Sequence, residues 1–214
     1  MNSNKRTAAS SAAHVLSDIF SPMLVPSYAM IAALTLTPMC LLPTSPKVWS
    51  TAGVVFITAI IPMVVILILM RMGKVSDTAI TDRKERTAPF CAVIVCYIGA
   101  AFFVRYLRAP YWIQNFYLAA AMVSAISLLV TQWWKISAHT GAMGGMAAIM
   151  FWMAQRGLII SMPLVWVSVA FLILGLVAWA RLYLNKHTVL QTLAGAALGF
   201  IVELIFLNIT PQVL

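Results

Sequence analysis

Charge is scarce in this chain. Its 214 residues include 14 Lys and Arg against 5 Asp and Glu, 9% in all, while 63% are hydrophobic. A soluble domain of this length covers itself with about 25% charged residues. Water is therefore excluded as the solvent for most of the surface. Acid is scarcer still, which leaves a net charge of +9. The positive charge is split among short polar stretches, which excludes a nucleic-acid face and points to basic loops at a membrane surface or to an anionic ligand. Cysteine is limited to Cys40, Cys91 and Cys96, all in apolar runs. An odd count in such places excludes a disulfide framework and predicts buried free thiols. The apolar runs show no period-2 alternation, which excludes a spanning barrel. There is no internal repeat, no low-complexity stretch and no second domain. The first 19 residues lack the apolar core of a signal peptide, and His14 reads as a solvated residue among them.

What the chain has is apolar runs of spanning length. Seven candidate spans lie at about 21–43, 50–71, 89–107, 114–134, 138–156, 159–180 and 187–208. The fold class is all-α, a polytopic membrane bundle of six or seven transmembrane helices. Residues 1–20 form a polar N-terminal segment, and 21–214 form a single transmembrane domain. Pro62 falls inside a span and predicts a kink. Pro89 opens another, where a missing N–H costs nothing. Trp112, Trp133 and Trp134 fall near expected interfaces. Glu203 lies inside the last run, where an acid is costly unless it faces protein or water. Its nearness to the helix end predicts that it reaches the interface.

Three polar stretches interrupt the apolar pattern: TDRKERTAP from Thr81, KISAHTGAMGG from Lys135, and RLYLNKHTVLQ from Arg181. Two spans separate each from the next, so with seven spans all three open on one face. Lys47, Arg105, Arg108 and Arg156 fall on the other face. The remaining ten of the 14 basic residues fall on the motif side, which tilts that side toward the cytoplasm. Without Arg83, Lys84, Arg86 and Arg181, whose charge serves a substrate equally well, the tilt is slight.

Each stretch supports a plain reading and a chemical one. Arg181 and His187 are six positions apart at a membrane edge. They are either a snorkelling arginine and a helix-capping histidine, or an anion site beside unpaired helix N–H groups. Ser137 precedes His139 as a helix cap. Gly141, Gly144 and Gly145 follow, a spacing that lets helices approach closely. Asp82, Arg83, Lys84, Glu85 and Arg86 form either a basic loop or a set of guanidinium forks suited to phosphate oxygens.

Together the stretches resemble the type 2 phosphatidic acid phosphatase (PAP2) superfamily, whose members carry K-x6-R-P, then P-S-G-H, then S-R-x5-H-x3-D. Arg181 and His187 match the third motif in identity and spacing. Ser137 and His139 match the second. The first is degraded: Arg86 is separated from Pro89 by two residues, and Ala79 stands where the lysine falls.

This resemblance implies a metal-independent lipid phosphatase domain with no cofactor. His187 would be the nucleophile that forms a phosphohistidine, and His139 the acid that protonates the leaving oxygen. Arg181, Arg86 and Ser137 would bind the phosphate, with Arg83 and Lys84 as further ligands. Gln191 replaces the family aspartate; its carbonyl can orient the imidazole but cannot offset its charge. Asp82 or Glu85 is then a candidate substitute carboxylate. The implied partners are the bilayer and a lipid phosphate: polyprenyl diphosphate, phosphatidylglycerol phosphate, phosphatidic acid or lipid A phosphate. A lipid phosphotransferase and a non-enzymatic carrier of anionic head groups are the alternatives. The resemblance and small size suggest a bacterial inner membrane. Nothing in the sequence sets an oligomeric state.

Overall fold

A computed structural model of the chain describes residues 3–77 and 83–209. Asp82 and Ala79 lie outside them. Every regular element among the described residues is helical: α1 (Ser3–Ile19), α2 (Val25–Leu36), α3 (Thr44–Val55), α4 (Ile61–Arg71), α5 (Thr87–Tyr106), α6 (Tyr111–Thr131), α7 (Ala138–Gln155), α8 (Pro163–Tyr183) and α9 (Val189–Ile209). Five rods are long and apolar enough to cross a membrane: Thr44–Arg71, α5, α6, α8 and α9. The chain is an integral membrane helical bundle.

The first expected span is a correction. Helix α2 has only 12 residues, about 18 Å of rise. It stops because Pro38 follows and because the Thr37 hydroxyl donates to the Ala33 carbonyl at 2.7 Å while accepting from the Met39 N–H at 3.3 Å. Residues 3–19, expected as a polar segment, form a helix that packs on α8. Ala13 and Ser17 are buried there, whereas His14 is exposed as expected. Of the cysteines, Cys96 is buried, but Cys91 is exposed on the outer face of α5.

Helices α3 and α4 form one rod interrupted by a π-helical turn at Phe56–Ile60, where the Ile61 N–H donates to the Phe56 carbonyl. Pro62 has no N–H for the carbonyl four residues back, and the wider turn absorbs the mismatch.

Helix α7 is the centre of the bundle, with 11 of its 18 residues buried. Its small residues explain why it can be. A Cβ on Gly199 of α9 would collide with the Gly141 carbonyl, one on Gly195 with the Ser137 carbonyl, and one on Gly144 with the Ala196 carbonyl. Backbone thus lies on backbone along the α7–α9 seam. Hydrogen bonds pin its upper end: the Thr140 hydroxyl donates to the Thr192 carbonyl at 2.9 Å and the Ser137 N–H to the Gln191 carbonyl at 3.3 Å. Two buried tyrosines tie the start of the chain to the bundle. Tyr97 donates to the Pro22 carbonyl at 2.6 Å and Tyr117 to the Pro26 carbonyl at 3.2 Å.

Gly199→Ala is expected to destabilise the protein by about 1–3 kcal/mol, the usual cost of overpacking. Thermal unfolding in detergent checks it. Gly175→Ala on α8, where a Cβ meets nothing within 4 Å, is expected to leave the transition unchanged.

Candidate active site

The third motif owes its spacing to a helix stop. Arg181 sits in the last turn of α8. The Lys186 N–H donates back to the Arg181 carbonyl at 3.0 Å and the Asn185 N–H to the Leu182 carbonyl at 3.0 Å. Asn185 is left-handed, with φ 52°. These are the two bonds and the αL residue of a Schellman stop. They turn the chain within five residues, so that His187 returns over the end of its own preceding helix beside Arg181.

Helix α9 then starts with a second local device. The Gln191 N–H donates to the Thr188 hydroxyl at 3.4 Å, and the Thr188 N–H donates to Gln191 Oε1 at 3.2 Å. This is a reciprocal capping box, written in the sequence as Thr-x-x-Gln. The N–H contact identifies Oε1 as the amide oxygen, and His187 Nδ1 lies 3.2 Å from the same atom. Nδ1 is therefore the protonated ring nitrogen, and Nε2 keeps its lone pair.

The second motif places His139 in the first turn of α7. Its ring faces the backbone of Ser17, at the end of α1. Ser137 is the cap of α7, accepting from the Thr140 N–H at 3.4 Å. From the first stretch, Arg86 is buried at the start of α5, with Nη1 donating to the Ile136 carbonyl at 3.4 Å.

Arg86, His139, Arg181 and His187 line one cavity of about 650 Å³. The structure does not bring all the expected residues there. Ser137 does not line the cavity. Arg83 and Lys84 are exposed outside it, and Arg83 donates to the Trp133 carbonyl at 2.9 Å. Glu85 is turned away as a substitute carboxylate: its Oε2 accepts from the Ser76 N–H at 2.7 Å and hydroxyl at 2.8 Å. A carboxylate that does line the cavity is Asp18 of α1. Nothing in its sequence context marks it, because only packing of α1 on α8 carries it there.

Glu203 is a second correction. It does not reach the interface; it is 1% exposed and lines the same cavity from α9. Its sequence signal was an acid inside an apolar run.

The electrostatics favour an anion. Arg86 and Arg181 are both buried, and Arg181 Nε has no hydrogen-bond partner among the described residues. Lys135 stands close enough that burial first, then Arg86 and Arg181, push its ammonium below the usual lysine range. His187, in the connection before α9, is held near pKa 3. Burial is the main cause, followed by the charges of Arg181 and Lys135, with the Gln191 hydrogen bond acting the other way. A family model described as the PAP2 superfamily matches residues 131–213. The chain is consistent with a PAP2 member. The match takes in α7, α8 and α9 and both well-kept motifs, but it leaves Arg86 outside. The match supports phosphatase-type chemistry in general terms. No curated protein and no solved structure matches the chain.

The depressed pKa of His187 gives a pH prediction. The unfolded ring has a pKa of about 6.5, so between that value and about 3 the unfolded state binds more protons. Stability therefore falls as pH drops through this window. Gln191→Asp adds a charge that favours the imidazolium and is expected to raise the His187 pKa. Titration of the His187 ring by NMR in both proteins checks this, with an upward shift of about 1–3 units expected for a nearby counter-charge.

Proposed function

We propose that this protein hydrolyses a phosphate monoester or diphosphate of a lipid through a phosphohistidine. The observation that carries the reading is the convergence of two buried guanidinium groups and two imidazoles on one cavity. A phosphate bound beside them takes up Arg181 Nε, which has no hydrogen-bond partner among the described residues.

In the first step His187 Nε2 attacks phosphorus. The N–P bond forms as the P–O bond to the lipid breaks, and His139 gives its proton to the departing oxygen. In the second step His139 takes a proton from water, whose oxygen attacks phosphorus and displaces His187. Gln191 holds the ring in the tautomer that the attack requires, without a formal counter-charge. Arg86 and Arg181 stabilise the charge on the equatorial oxygens in both steps. The charge of Asp18 acts on Arg181 and favours its cationic form.

The cavity favours a lipid over a soluble ester. Beyond the basic groups its wall is mostly apolar, with Val25, Phe116 and Val123 among the lining residues, interrupted by Ser124, Ser127 and Glu203. Ile60, Met63 and Val64 of the π turn and α4 line it too, yet are 47%, 39% and 47% exposed. The cavity thus opens sideways at the lipid-facing surface, where a tail can remain in the bilayer. Among membranes, a bacterial inner membrane offers all four candidate lipids noted above.

Purified protein is expected to release phosphate from at least one of those lipids. His187→Ala is expected to lower the rate by about a thousand-fold or more, as loss of a nucleophile does. An acid-labile phosphoenzyme should form in the wild type and be absent from the variant. Tight lipid binding with no release by the wild type would instead make the protein a carrier.

A further inference from the structure

Glu203 is not used by the chemistry above, yet its position is the most costly in the bundle. It is 1% exposed inside a membrane-spanning helix, and Oε1 has no hydrogen-bond partner among the described residues. Such a group is expensive to keep in lipid unless something pairs with it. It lines the same cavity as His139 and His187. Its depth can be read from α7. A Cβ on Gly145 would stand 3.5 Å from Glu203 Oε2, so the carboxyl lies level with Gly145. Gly145 follows His139 by six positions, about 9 Å along the helix. Between the two levels the lining includes Ala138, Gly141 and Ala142, with no polar side chain from α7.

We propose that Glu203 is a second polar anchor, which hydrogen-bonds a hydroxyl on the lipid about 9 Å below the His139 level, taken as the level of the phosphate. This rests on reading the upper end of the cavity as a lipid phosphate site. A hydroxyl fits better than other polar groups because it donates and accepts, and so pairs with a carboxyl in either protonation state. An ammonium pairs well only with the ionised form, and an ester carbonyl only with the protonated form. The distance selects the position. Three bonds of extended chain span about 3.8 Å, so 9 Å is about seven bonds. From phosphorus through a glycerol backbone, seven bonds reach the third carbon of an ester-linked acyl chain. The substrate class is thus a lipid phosphate hydroxylated near the top of its acyl chain.

The test compares three phosphatidic acids that differ only in the acyl chain: unsubstituted, hydroxylated at the third carbon, or hydroxylated at the tenth. Wild type, Glu203→Leu and Glu203→Gln are measured for phosphate release and for thermal stabilisation by each lipid. The wild type is expected to prefer the 3-hydroxy lipid by about tenfold in kcat/KM, the effect of one net hydrogen bond. Glu203→Leu is expected to lose that preference while keeping its rate on the unsubstituted lipid. Glu203→Gln, which still accepts and donates, is expected to retain most of it. An equal fall on all three lipids would mark a merely structural role and overturn the proposal, as would a wild type with no preference. Should Glu203→Leu not fold, the wild-type choice between the two hydroxylated isomers decides. If no lipid is hydrolysed but the 3-hydroxy lipid still stabilises the wild type most, the phosphatase reading fails and this one stands. No turnover and no differential stabilisation sinks both.

Discussion

The close approach of α7 and α9 is the constraint on which the rest depends. Gly144, Gly195 and Gly199 leave no room for a methyl group between the two backbones. Helices at that separation cannot slide without breaking many contacts at once. The register they share puts the start of α7, with His139, beside the start of α9, preceded by His187. It also puts Gly145 of α7 against Glu203 of α9. One seam therefore sets both ends of the cavity, the basic end and the carboxyl below it.

Around that seam, local devices use backbone geometry rather than side-chain length. A Schellman stop on α8 brings His187 back over Arg181, and a capping box fixes Gln191. Gln191 thereby satisfies a helix end and selects the His187 tautomer with the same oxygen. An aspartate at this position would add charge to the imidazole. On the proposed reading, the glutamine leaves the ring dependent on a bound anion to favour its positive form, and the buried arginines strengthen that binding where the helices exclude water.

Legibility in the sequence followed the range of the interactions involved. The third motif was readable because Arg181 and His187 are joined by a local turn, and the glycines after His139 announced a seam. The Thr188-x-x-Gln191 box was equally local and was legible in principle. By contrast, Ser137 has the right identity but spends its hydroxyl on a cap, and Arg83 has the right charge but points to the Trp133 carbonyl. Asp18 carried no signal at all. Its arrival at the cavity depends on α1 folding along α8, a contact between residues about 160 positions apart.

Composition and spacing were enough for an all-helical membrane bundle and for two histidines at helix starts. Hydropathy and turn chemistry act over a few residues, so they can be read along the chain. Tertiary packing decided which polar groups share a cavity. It brought in Asp18 and Glu203, turned Glu85 away, and shortened the first expected span to α2. Those outcomes depend on helix register and side-chain direction, which no stretch of sequence carries on its own.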